Sequence, residues 1–338
     1  MKKSIKEKIQ ITVVTMACIM MVAAILLTPV SSEASGITVY KDDAKSQYVK
    51  LGGRLQLQYH SENPDIGETT DEMDFRRLRL YIEAGISEDW SAKFQWDMSG
   101  ATDDNELSVS DAYISYTGIP DIKLLIGNAD FAFSRELLTS SKKQHLVERT
   151  FVGDHNYGAP DKNLGVHLRG GHFDKKITYG LSLASSSIDP TSSKLDFDTP
   201  VNRNGDFNEG FIYGGRVDFH PLGNLKFSQG DFSGDPLATI GVAAFVWNND
   251  DDNNTRTDGK VALDDPLADG GLPCAPACSK ADVDSVTGFE ISAAMRGGGF
   301  SLDAQFNTFD ADTIDSAVTS GIYKDGETTL ESLAVEGG

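Results

Sequence analysis

Ten basic residues set the chemical question: Lys50, Arg54, Arg77, Arg79, Lys93, Lys123, Arg169, Lys176, Arg216 and Arg296. Each stands on the polar side of a segment in which polar and apolar residues alternate. Gathered on one surface, they suit anions. The guanidinium fork grips two oxygens of a phosphate or carboxylate and stays charged at any physiological pH. A series of weak sites of this kind lets an ion enter and also leave. The same faces carry Glu83, Asp97, Asp111, Asp218 and Glu290, whose carboxylates could tie these cations up in pairs. Both readings stand at every position. A further group, Arg135, Glu136, Lys142, Lys143, Glu148 and Arg149, falls in the long polar stretch 128–163. Arg135, Glu136 and Arg149 are candidates for a constriction, or for a network that pins that stretch to a wall. Arg76 has the opposite parity to Arg77 and Arg79 and is expected at an outer rim.

The background sharpens these clusters. The chain has 30 Lys+Arg against 51 Asp+Glu, a net charge of −21. Such a balance repels nucleic acid and makes that partner unexpected. The sequence has no H-E-x-x-H, P-loop or G-x-S-x-G pattern, its six histidines are scattered, and no enzyme, cofactor or resident metal is expected. The stretch from Asp250 fails as a calcium loop, with Thr where glycine is needed and Val at the closing glutamate position.

What must position the cations is a set of strands. In "YVKLGGRLQLQYH" (48–60), Val49, Leu51, Leu55, Leu57 and Tyr59 share one parity, and Lys50, Arg54, Gln56 and Gln58 the other. A strand separates these sets onto two faces, whereas a helix would scatter them. In residues 75–85, Leu78, Leu80, Ile82 and Ala84 oppose Arg77, Arg79, Tyr81 and Glu83. A helix through Phe75, Leu78 and Ile82 is the alternative, but it lacks caps and sits between alternating neighbours. Eleven such segments lie between residues 48 and 310, with 237–247 ambiguous in phase because nearly all of it is apolar or small. Short connections (87–89, 118–121, 173–176, 297–299) alternate with long polar ones (61–74, 128–163, 186–209, 249–283), and 221–236 is longer than a tight turn. This predicts an all-β, up-and-down antiparallel sheet with one decorated rim. Trp90, Tyr116 and Phe219 at the turn end, with Tyr59 and Tyr213 at the long-loop end, form two aromatic levels on the apolar face. That favours a transmembrane β-barrel with lipid outside over a soluble sandwich.

Residues 1–34 read as a secretory signal: Lys2, Lys3, Lys6 and Lys8, an apolar run from Ile9 to Leu27, and Ser32 and Ala34 before the cut. A membrane anchor is the alternative. Residues 35–338 then form the barrel domain. Cys274 and Cys278 would close a small disulfide ring in a loop of an exported protein, or remain free thiols.

Several stretches carry a family resemblance: "VKLGGRLQLQY", "DFRRLRLYIEAGISEDWSAKFQWDM", "VSDAYISYTGIPDIKLLIGN", "ADFAFSRELLTSSKKQHLVERTF" and "NLGVHLRGG". In these the chain resembles the phosphate-selective porin O and P family of bacterial outer-membrane channels. The resemblance implies a 16-stranded barrel, a homotrimer, and an anion-selective lumen narrowed by an inward third surface loop. It also implies inorganic phosphate or other small anions as solutes, and outer-membrane lipid and lipopolysaccharide as surroundings. The chain departs from this in having room for only 11–12 strands. Its end, "TTLESLAVEGG", reads as a twelfth strand cut off midway, so the barrel domain is expected to be incomplete at the C-terminus, with a closed smaller barrel as the alternative.

Overall fold

The computed structural model describes residues 36–62, 70–99, 108–146, 148–189, 193–198, 208–231, 233–249, 283–314, 316, 318–319 and 321–338. The signal segment and the Cys274–Cys278 pair lie outside the described residues. The strands are β1 (Ile37–Asp42), β2 (Gln47–Glu62), β3 (Thr70–Gly85), β4 (Trp90–Asp97), β5 (Ser108–Ile119), β6 (Ile122–Asp130), β7 (Lys162–His172), β8 (Ile177–Asp189), β9 (Asp196–Asp198), β10 (Asn208–Phe219), β11 (Leu237–Asn249), β12 (Val283–Gly297), β13 (Phe300–Thr313) and β14 (Glu327–Gly337). They form one 14-stranded sheet in which sequence order is spatial order, apart from the three-residue β9, which pairs with the end of β8. Pairing from β2 to β14 is antiparallel throughout. All eleven strands read from the alternation are present. A further strand, β14, pairs along its length with β13, from Glu327 opposite Asp312 to Gly337 opposite Leu302. Only β1 and β9 carried too few residues to announce themselves. Among the described residues no pairing joins the two ends of the sheet.

The short connections follow turn chemistry. Gly298 (φ 62°) and Gly299 (φ 87°) form the two-residue link from β12 to β13, where both central residues need positive φ to match the strand twist. Phe173, Asp174 and Lys175 adopt positive φ (53–60°) in the β7–β8 turn without a glycine, a locally costly solution.

The apolar face points outward. Leu55, Leu57, Leu181, Leu183, Ile240, Val242, Met295 and Leu302 are exposed, while Glu290, Ser292 and Asn307 on the opposite face are buried. A sandwich would bury the first set; a lipid-facing sheet presents it. At the turn end, Trp90 lies 4.7 Å from Tyr116 across the β4–β5 pair.

The inner face has two unlike halves. Along β8 and β10–β13 it carries Ala184, Ile212, Ala243, Phe245, Trp247, Val286 and Phe309, which pack with Phe131 and Phe133 into one core. Phe133 meets Phe245 edge-on at 4.8 Å. This settles the phase of β11: Thr239, Gly241, Ala243, Phe245 and Trp247 face in, and Ile240 and Val242 face out. The 131–161 connection lies against this half, and apolar side chains are what it buries there. It contains a helical turn, α1 (Arg135–Leu138), and a 3-10 turn, Phe151–Gly153; in α1 Ser134 caps the Leu137 N–H, while the Arg135 and Glu136 N–H groups donate to Glu290 and Gln305 of the wall. The 220–236 connection also turns inward. The Gln229 N–H donates to the Lys143 carbonyl at 2.7 Å, and the His145 N–H donates to Gln229 Oε1 at 2.7 Å. That contact accounts for its length.

Candidate functional site

The other half of the inner face, from β2 to β7, stays polar, and a chamber of about 560 Å³ lies between it and the 131–161 loop. Antiparallel register places its charges side by side: Arg54 opposite Arg79, Arg79 opposite Asp97, Glu83 opposite Lys50 and Lys93. Six basic residues (Arg54, Arg79, Lys93, Lys142, Arg149, Lys162) and five acidic ones (Glu83, Asp97, Asp111, Asp130, Asp161) line it.

Most of the strand cations are paired. Arg79 Nε donates to Asp97 Oδ2 at 2.5 Å. Lys93 and Lys162 both reach Asp111 at 2.9 Å, and Lys162 also binds Asp130. Lys50 lies 3.8 Å from Glu83, and Arg169 3.5 Å from Asp130. The carboxylate tie-up thus holds at Lys50, Arg79, Lys93 and Arg169. Lys123 instead sits over the Tyr113 ring at 6.0 Å, outside the chamber lining. Arg77, expected on the pore wall beside Arg79, is instead buried outside the chamber lining and donates to Gln56 Oε1 at 3.1 Å.

Three cations differ. Arg54, Lys142 and Arg149 line the chamber, and none has a carboxylate partner among the described residues. Arg54 spends its donors on Ser141 Oγ (2.7 Å), the Ser141 carbonyl (3.1 Å) and Gln56 Oε1 (2.7 Å). Arg149 reaches only the Leu137 carbonyl at 3.4 Å, and its buried Nε has no partner. Partial desolvation, then the positive charges of Arg54, Lys93, Lys143 and Arg79, hold the Lys142 ammonium below the ordinary lysine range. The potential at this corner is positive although the chain is strongly acidic.

Four more expected contacts with a solute are corrected. Arg216, expected to line a pore, is 2% exposed. It donates to Asp218 (2.7 Å), Ser292 Oγ (2.6 Å), the Phe133 carbonyl (2.8 Å) and Glu290. Arg296 is buried against Asp303 at 2.6 Å and the Ser228 carbonyl. Arg135 and Glu136, expected at a constriction, are also buried. The Arg135 N–H donates to Glu290 Oε1 at 3.1 Å, and its guanidinium to Asp303 at 3.2 Å. Glu136 accepts from the Thr150 N–H (2.9 Å) and hydroxyl (2.6 Å), while burial pushes its carboxyl above the usual range against those bonds. The cause is shared: these groups lie where the loop meets the filled half of the sheet, and they pin it there. Of the loop candidates, only Arg149 faces the chamber.

Arg76 is a further correction. A β-bulge between Gln56 and Leu57 gives β3 an extra residue, so Leu57 pairs with Phe75 while Gln56 pairs with Arg77. Parity shifts by one, Phe75 takes the outward place, and Arg76 makes a two-pronged ion pair with Glu148 of the loop. A bulge leaves no mark in an alternation read from one side only; the clue was Phe75 and Leu78 falling on one face three residues apart.

The sequence model described as phosphate-selective porin O and P matches residues 49–260. The chain belongs to that family. It is a β-barrel protein of the bacterial outer membrane. This porin is 27% identical over 298 residues to Porin O of Pseudomonas aeruginosa, an alignment covering 80% of the chain and 60% of that relative. The chain thus spans about 60% of the length of that curated protein. Among solved structures, the porin is similar to the anion-selective porin from Comamonas acidovorans (8% identity, TM-score 0.33, 86% of this chain and 99% of that one). It is also similar to the OmpT outer-membrane protein of Vibrio cholerae (11% identity, TM-score 0.39, 86% and 83%).

Proposed function

We propose that this porin is a passive channel for small anions, inorganic phosphate among them, and not an enzyme. The observation that carries the reading is the convergence of Arg54, Lys142 and Arg149, without carboxylate partners among the described residues, on one solvent-filled chamber. Apart from Asp161, their charged neighbours are salt-bridged and contribute little net charge, so these three outweigh that one carboxylate in setting the sign of the local field. They offer a hydrated anion donors it can exchange for water, and they are few enough to release it again. Family membership and the inward third loop support the same reading, as does the expectation of a homotrimer in outer-membrane lipid, exported by residues 1–34. A weakly selective pore is the second reading, favoured by the five carboxylates in the same lining. Reversal potentials across a planar bilayer in a KCl gradient separate the two: anion preference is expected, and cation preference rules the proposal out.

A further inference from the structure

The inward 220–236 connection creates a second cavity, of about 200 Å³, on the turn side of the loop. Its chemistry is unlike that of the chamber. Ala132 and Leu138 of the loop, with Leu225 and Phe227 of the connection, give it an apolar lining. Its charge is positive. Arg216 and Asp218 in its wall satisfy each other at 2.7 Å and Arg169 is paired with Asp130 at 3.5 Å, while Lys226 is exposed with no carboxylate partner among the described residues and adds the net cation. His220 also lines it; the ring is 2% exposed, Nε2 bonds the Thr178 hydroxyl at 2.9 Å, and Nδ1 has no partner. Burial holds that histidine below its usual range. The phosphate ion suits none of this, since an apolar lining cannot replace the water it loses.

We propose that this cavity is a second solute subsite, fitted to small amphiphilic monocarboxylates such as benzoate. The ring or short chain would lie against Leu138, Leu225 and Phe227, and the carboxylate would pair with Lys226 and accept from His220 Nδ1–H, the tautomer in which Nε2 accepts from the Thr178 hydroxyl. The volume is below the roughly 300 Å³ at which drug-sized ligands begin to fit, which sets the size class. The inference rests on the reading that anions enter the lumen.

The test is equilibrium binding of benzoate to the full chain, folded in detergent, by isothermal titration calorimetry with inorganic phosphate as competitor. Wild type should bind benzoate, excess phosphate should leave that binding unchanged, and Lys226→Gln should weaken it roughly tenfold, the scale of one charge-assisted contact. Lys226 is exposed, so its replacement should not unfold the chain; circular dichroism checks this. Leu138→Trp, which fills the cavity from the loop side, should abolish binding by a separate route. The proposal is overturned by an absence of benzoate binding, by displacement with phosphate, or by both variants binding as wild type does. Binding in detergent needs no conduction, and reversal potentials need no benzoate, so each reading fails on its own measurement.

Discussion

The three unpaired cations predict a specific loss when two of them are removed. Lys142→Gln and Arg149→Gln delete charge with little cost to the fold, because among the described residues the Lys142 ammonium bonds nothing and Arg149 makes one long bond, at 3.4 Å. A unit charge about 4 Å from an ion contributes about 1 kcal/mol in bulk water and about 4 kcal/mol at an effective permittivity of 20. The chamber is open to solvent on one side and backed by protein on the other, so about 1–2 kcal/mol per cation is the expected scale. Each deletion should then lower the anion-to-cation permeability ratio roughly five- to thirtyfold, with the double variant beyond either single one. Screening gives an internal check. The Debye length is about 10 Å at 0.1 M salt and about 3 Å at 1 M, so the effect should shrink at the higher salt. Reversal potentials at both concentrations measure it, with Lys175→Gln, in the β7–β8 turn, as the unaltered control. An unchanged ratio in the double variant at 0.1 M would refute the claim that these side chains set the field.

Three further outcomes are expected. Asp97→Asn removes the partner of Arg79 and turns a neutral pair into a free guanidinium, so anion preference should rise in the same bilayer assay. Phe245→Ala deletes a buried ring in edge or tilted contact with Phe131, Phe133, Phe197 and Phe309; it should cost about 3–5 kcal/mol, read by urea unfolding, and raise single-channel conductance as the loop loses its seat. His155, in the loop region outside the spanning strands, is held up to about 9: burial opposes protonation, but the Asp196 hydrogen bond at 3.0 Å and the charges of Asp161, Asp196 and Asp154 outweigh it. The folded value exceeds the unfolded one of 6.5, so this contact's stability is complete below about pH 6.5 and lost as pH rises through about 9; the protection factor of the Phe197 amide, which donates to the His155 carbonyl, should fall across that window in wild type and stay level in His155→Gln once the intrinsic base-catalysed exchange rate is divided out.

What the sequence made legible followed from the period of the strands. Alternation places Leu78, Leu80 and Ile82 on one face and Arg77 and Arg79 on the other without any tertiary information, and that located the long strands while leaving the phase of β11 open. It could not place Arg76, because one inserted residue at a bulge reverses parity locally and leaves the composition untouched. Nor could it separate Arg54 from Arg216. Both have lumen parity in polar-looking strands, and their fates diverge through contacts more than eighty residues away: Ser141 beside the first, Phe133 above the second. The apolar residues of β11 were the available hint that one side of the lumen is filled. A strand with Phe245 and Trp247 on its inner face needs something dry to cover them.

The two halves of the inner face depend on each other. Filling the β8–β13 side requires buried charge to be neutralised there, and Arg216 with Glu290 and Asp218, or Arg135 and Arg296 with Asp303, does this within the loop's footprint. Breaking one such pair leaves an uncompensated charge, at a typical cost of about 3–5 kcal/mol, so the loop is held in one seat. That seat in turn carries Lys142 and Arg149 across to the β2–β6 wall, where the Arg76–Glu148 pair and the bonds from Arg54 to Ser141 fix their approach. A cation offered to a solute must be free of carboxylates, and only Arg54 combines that with a hold on the loop, through neutral Ser141. The chain divides these tasks between different arginines, which is why a lumen with so many basic residues presents so few of them unpaired.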